Sequence, residues 1–184
     1  DIWSDYALFY KKNNSFKARG DVVVKQGDSI ELYSENLEYD GNSRKIIAKT
    51  NVIFKNNNTT LKTQILFHDR DLKEIYFENG GIIKDSTNTI KSTEGKYFLT
   101  NSKYEFNKRV NVYNNDSDIK SIKLDYYSDT EKVFFYGPTV ITGKDYRIFS
   151  ENGFYNTNSK NGYFNTKAKI EYGNRTIKGD SLIF

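Results

Sequence analysis

The chain has 184 residues and a formal charge of +4, with 28 Lys and Arg against 24 Asp and Glu. Only 36% of residues are hydrophobic, yet 16% are aromatic, and that share excludes a disordered chain. Four alanines, no methionine, 21 asparagines, 12 glycines and one proline point to an all-β protein with many tight turns, and the absence of cysteine excludes disulfides, a thiolate nucleophile and a Cys-based zinc site.

In chain order, Trp3 to Tyr10 reads as a first strand. Alternating valines follow at Val22 and Val24, then Leu37 and Tyr39 after a turn signal at Gln26-Gly27-Asp28. Asp40-Gly41-Asn42-Ser43 turns the chain into Val52 and Phe54. Asn56-Asn57-Asn58 turns it again into Leu66 and His68. The alternation continues past Asp69-Arg70-Asp71 through Val110 and Val112, Leu124 and Tyr126, and into Ile177 to Phe184. It predicts Lys123 and Asp125 on the outer face. No 3.6-residue stripe survives three turns, so no helix longer than about two turns is expected. No stretch approaches the roughly 18 apolar residues of a membrane span. No Met or signal peptide opens the sequence, and its apolar ending suggests a cut inside an element. A single domain over residues 1–184, truncated at its C-terminal end, is the expectation.

One spacing organises these runs. From Leu32 to Leu61 is 29 residues, and the same step reaches Ile90, Ile119, Ile148 and Ile177. A second column reads Leu8, Leu37, Leu66, Gly95, Leu124, Gly153 and Leu182. A third reads Tyr10, Tyr39, His68, Tyr97, Tyr126, Tyr155 and Phe184, and a fourth Ala48, Phe77, Phe106, Phe135 and Phe164. Each 29-residue unit then holds two turns and two long strands. The parity shift between Leu32 and Leu37 asks for a mid-strand bulge, and Gly20, Gly80-Gly81 and Gly137-Pro138 fall at such bends. Bent antiparallel strands in register make a folded sheet, an elongated β-jellyroll with an apolar interior and open edges at both ends. Gly95 and Gly153 either leave room for a ligand or mark bulges.

Ala18-Arg19-Gly20-Asp21-Val22-Val23-Val24, followed by Leu37-Glu38-Tyr39-Asp40, resembles the OstA-like family, which includes LptA and the periplasmic N-terminal domain of LptD. Tyr136-Gly137-Pro138-Thr139-Val140-Ile141, followed by Glu151-Asn152-Gly153-Phe154-Tyr155, resembles later repeats of longer members. The resemblance covers most of the chain. It implies a β-taco fold in the periplasm of a Gram-negative bacterium, in association with the outer membrane. It implies a bridge that carries lipopolysaccharide between the inner and outer membranes, with lipid A acyl chains inside the folded sheet. It further implies edge-strand joining to other OstA-like or Lpt proteins and head-to-tail self-association. The candidate groove residues are Leu32, Leu37, Phe54, Leu61, Leu66, Phe77, Ile90, Phe106, Ile119, Leu124, Phe135 and Ile148. Such a groove would hold acyl chains at about 0.8 kcal/mol per buried methylene and needs no cofactor.

Other constellations carry less. His68 takes a place otherwise held by Tyr and Phe, and reads as an aromatic substitute rather than a catalytic base or ligand. Asp40 and Asp69 stand in turns, where capping explains them better than paired-carboxylate chemistry. No nucleophile triad, phosphate loop or metal-spaced set is present, so the chain does not read as an enzyme. Arg19-Gly20-Asp21 is explained by the bend, and the N-x-Ser/Thr matches by the abundance of asparagine. Aromatics in inward columns and a mild net charge argue against nucleic acid. The rival to a lipid conduit is a structural or adhesive β-repeat with a dry core.

Overall fold

The computed structural model describes residues 1–184 as one 16-stranded antiparallel sheet. The strands are β1 (Ile2–Trp3), β2 (Tyr6–Tyr10), β3 (Ser15–Gln26), β4 (Ile30–Asp40), β5 (Lys45–Asn56), β6 (Thr59–Asp69), β7 (Glu74–Phe77) and β8 (Gly81–Lys84). They continue as β9 (Thr89–Ser92), β10 (Glu94–Phe98), β11 (Lys103–Tyr113), β12 (Ser117–Tyr127), β13 (Lys132–Gly143), β14 (Tyr146–Asn156), β15 (Gly162–Tyr172) and β16 (Arg175–Ile183). The one helical turn is a 3-10 segment, Lys11–Asn13.

Sequential strands pair, and most long strands are bent near the middle. The register slips there in pair after pair: between Arg19 and Val22, Tyr33 and Asn36, Lys49 and Val52, Asn107 and Val110, and Asn165 and Ala168. At Gly80 the bend breaks a strand outright into β7 and β8, which both pair with β6. Gly20 (φ 74°), Gly80 (φ 95°) and Gly137 (φ 97°) serve bends, as their freedom at positive φ allows. Other bends fall on Thr50-Asn51, Lys108-Arg109 and Thr166-Lys167, all at φ between 54° and 70°. The flanking ladders impose that backbone on residues that disfavour it.

Each bulge frees carbonyl groups inside the crease, and buried hydroxyls accept the task of pairing them. Ser34 donates to the Asn36 carbonyl (3.1 Å), Thr63 to Gly80 (2.8 Å), Ser121 to Lys123 (3.0 Å) and Ser150 to Asn165 (2.7 Å). Ser92 holds the corresponding place, with its hydroxyl buried and unpaired.

The two halves face each other across a shared interior. On one half, neighbouring strands place Leu32 beside Phe54, Phe54 beside Leu61, Ile90 beside Val112, Val112 beside Ile119, Ile119 beside Ile141 and Ile148 beside Ile170. The other half runs Ala18, Leu37, Ala48 and Leu66, then Phe77, Gly95, Phe106, Leu124, Phe135, Gly153 and Phe164. Cross-strand neighbours of this kind are the unit of sheet stability. Lys123 is exposed as the alternation predicts, but Asp125 is not. Its carboxylate is buried on the outer face, ion-paired with Lys103 (3.0 Å) beneath Tyr136. At the ends, β1 and β2 pair only with β3, and β16 only with β15. Trp3, Phe9 and Ile177 are more than half exposed there.

Candidate functional site

The interior is not uniform. Between the two halves at β3–β6 lies a cavity of about 530 Å³. Leu32 and Phe54 wall it from one half, Leu37 and Leu66 from the other, with Ile46, His68, Ile75 and Leu99 nearer the slit where the turns meet solvent. These side chains belong to inward rows of consecutive strands, so the alternation that makes the strands also lines the cavity. In the row of Leu37 and Leu66, Ala18 and Ala48 stand where later strands carry Phe106, Phe135 and Phe164, and neither alanine lines the cavity.

Of the twelve candidate groove residues, Leu32, Leu37, Phe54 and Leu66 meet at this cavity. Leu61 is buried beside Phe54 and does not line it. Phe77, Ile90, Phe106, Ile119, Leu124, Phe135 and Ile148 are as buried as Leu37 and Leu66 but do not line the cavity, and they pack into a closed core. Gly95 leaves no ligand room, because a Cβ there would lie 2.4 Å from the ring of Phe77. At Gly153 the ring of Phe135 and the backbone of Tyr163 fill the space in the same way.

Tyrosines seal the slit over this closed part. Tyr126 donates to Asp85 (2.8 Å) and accepts from Asn88 (3.0 Å), reaching from one lip to the turn of the other. Asn56 donates to Tyr97 (3.1 Å), and the Tyr146 and Tyr155 hydroxyls bond at 2.7 Å. Burial, reinforced by Asp85, pushes the Tyr126 hydroxyl well above its ordinary pKa, and burial does the same for Tyr155, so both stay protonated. Over the cavity the row reads Phe16, Tyr39, Ile46, His68 and Ile75, and none of these forms a bond across the slit. Phe16 and Tyr39 only pack together, with ring centroids 5.5 Å apart.

His68 is half-buried in the cavity wall. Burial, and then the charge of Arg70, lower its pKa, so the ring is neutral at pH 7. Asp40 caps its turn through the amide of Asn42 (2.9 Å), and Asp69 through that of Leu72 (3.0 Å).

The turn lip holds three bases that the column arithmetic did not single out. Arg44, Arg70 and Lys73 are exposed, yet all three line the cavity mouth. Stacked turns bring them together: the Arg70 amide donates to the Arg44 carbonyl (3.2 Å), and the Leu99 amide to the Lys73 carbonyl (3.0 Å). Arg44 pairs with Asp71 at 3.0 Å, while Arg70 and Lys73 form no ion pair. The signal available in sequence was Arg44 and Lys73, 29 residues apart in two turns.

A model of OstA-like proteins matches residues 1–122, the span that contains the cavity and its basic lip. No curated protein matches the chain. Among solved structures the chain is similar to LptH, the LptA-homologous periplasmic component of the lipopolysaccharide transport device of Pseudomonas aeruginosa. That likeness has 17% identity and a TM-score of 0.30, and covers 69% of this chain and 74% of that one. With the family match extending over more than half of its length, the chain belongs to the OstA-like family, a non-enzymatic one.

Proposed function

We propose that the chain is a periplasmic lipopolysaccharide-binding bridge module of a Gram-negative bacterium, holding lipid A acyl chains between the inner and outer membranes. The observation that carries this is the 530 Å³ apolar cavity between the sheet halves. Ligand sites fall at about 300–1,000 Å³ with mostly apolar walls. Membership of the OstA-like family supports the choice of ligand and compartment, through the lipopolysaccharide transport that the sequence resemblance implies.

In this proposal residues 1–184 form one β-taco domain built from 29-residue repeats, with Leu32, Leu37, Phe54 and Leu66 as primary lipid contacts. Leu61, Phe77, Ile90, Phe106, Ile119, Leu124, Phe135 and Ile148 join the contact surface only when the tyrosine-sealed slit opens. The regular row pairings support the repeat, and the exposed apolar side chains of β2 and β16 support edge-to-edge joining with other OstA-like proteins or a second copy. Proline at Ile177 and Lys178 should weaken concentration-dependent association, read by sedimentation. Lipid extraction and mass spectrometry of the chain purified from a Gram-negative host should recover lipopolysaccharide. Recovery of no lipid would favour a dry structural repeat, a second reading that the closed core over β11–β15 supports.

A further inference from the structure

We propose that the turn lip of Arg44, Arg70 and Lys73 is a headgroup site that takes the phosphate of a lipid whose acyl tail enters the cavity. This rests on the lipid-binding function proposed above and adds where the polar end sits and which residues hold it.

Charge distribution at the mouth is the first ground. The charged residues lining the cavity are Lys25, Arg44, Arg70, Lys73 and Asp1, four of them cationic. Lys25 is tied to Glu31 at 3.0 Å and Arg44 to Asp71 at 3.0 Å, whereas Arg70 and Lys73 have no anionic partner. Free cations beside an apolar chamber complement an amphiphile with an anionic head. The nearby turn carboxylates are already engaged, Asp71 by Arg44 and Asp69 by Lys45 (3.4 Å), which leaves Arg70 and Lys73 as the unpaired charges of this lip.

Geometry is the second ground. The bases stand on stacked turns joined by the Arg70–Arg44 and Leu99–Lys73 backbone bonds, which hold their Cα positions without a ligand. Arg44 and Lys73 sit at φ 52° and 55°, a backbone better served by Gly or Asn, so the turn itself does not call for a base at either place. Arg70 offers a planar fork of donors that matches two phosphate oxygens, and Lys73 adds a compact charge. His68, neutral and half-buried below Arg70, marks the passage from charged lip to apolar wall. A tail reaching Leu37 and Leu66 thus leaves its phosphate at the lip.

The test is titration of the chain with dodecyl phosphate, with dodecyl maltoside, which has the same tail and a neutral head, and with inorganic phosphate, all below micellar concentrations. Dodecyl phosphate should bind at least about tenfold tighter than the maltoside at low salt, and the advantage should shrink as salt screens it. Arg70→Gln with Lys73→Gln should abolish the advantage while leaving maltoside binding unchanged, which also shows that the variant is folded. Ile46→Trp, which fills the chamber, should weaken both amphiphiles. Inorganic phosphate alone should bind far more weakly than dodecyl phosphate. Equal affinity for the two amphiphiles, or an advantage that survives the double substitution, overturns the headgroup site and leaves the lipid cavity standing. Inorganic phosphate binding as tightly as dodecyl phosphate also overturns it. If the parent chain binds neither amphiphile, the lipid-binding function falls together with the headgroup site.

Discussion

The strands β3–β6 and the strands β11–β15 share one register pattern, one crease and one set of turns, yet the first group encloses a cavity and the second a closed core. Two differences in the side-chain pattern accompany this one. In the inward row of one half, Ala18 and Ala48 alternate with Leu37 and Leu66, whereas Phe106, Phe135 and Phe164 fill the same row later. In the row nearest the slit, Tyr126 and Tyr155 bond to neighbours and seal it, whereas none of Phe16, Tyr39, Ile46, His68 and Ile75 forms such a bond. A folded sheet is therefore a frame whose inward side chains decide whether it encloses a container or a solid.

The largest effect that distinguishes the regions should come from core truncation. Phe135→Ala removes a ring that is 1% exposed and should destabilise the chain by about 3–5 kcal/mol. Leu66→Ala should cost about 2–3 kcal/mol, because its side chain already borders a void. Urea unfolding measures both, and a larger loss at Leu66 would contradict the division into open and closed regions. Next in size is the seal. Tyr126→Phe strands Asp85 and Asn88 and should cost about 1–3 kcal/mol, whereas Tyr39→Phe should change stability by less than about 0.5 kcal/mol. Equal losses would show that the seal does not separate the two regions.

The rows that organise both regions were legible in sequence. Leu32, Leu61, Ile90, Ile119 and Ile148 do share one half of the interior, and Leu37, Leu66 and Leu124 the other. Which stretch is hollow was not legible from apolar character alone, because Ala, Leu and Phe are all inward residues and differ only in volume. At Gly95 and Gly153 the sequence leaves ligand room and bulge as alternatives, and ligand room fails because the space belongs to the rings of Phe77 and Phe135 on neighbouring strands. Ser34, Thr63, Ser92, Ser121 and Ser150 keep the 29-residue spacing of the apolar columns, but a buried hydroxyl leaves no mark in an apolar pattern. The bulge supplies buried carbonyls for most of these hydroxyls, which no alternation pattern reveals. Arg44, Arg70 and Lys73 meet only once their turns stack, and the Tyr126 partners Asp85 and Asn88 lie 41 and 38 residues away.

Smaller effects sharpen the comparison. The bends are common to both regions, so relieving them should act alike in each. Thr50→Gly in the open region and Arg109→Gly in the closed one should each raise stability by about 0.5–1 kcal/mol, since left-handed backbone disfavours a side chain more than glycine's extra entropy costs. A pH response, by contrast, should belong to the open region, which holds the one histidine. The folded-state pKa of His68 lies below its unfolded value, so the unfolded chain takes up the proton first. Stability should therefore rise with pH through the window just below about 6.5 and level off above it. His68→Phe should flatten that window in chemical denaturation at a series of pH values.

The central claim is that lipid occupies the open region, and photo-crosslinking within living Gram-negative cells tests it most directly. A photoreactive residue at Leu37 or Leu66 should capture lipopolysaccharide, one at the exposed Lys123 should capture none, and one at Leu124, which does not line the cavity, should capture far less than Leu66. Equal capture at Leu66 and Lys123, or capture at Leu124 with none at Leu37 and Leu66, would contradict the account.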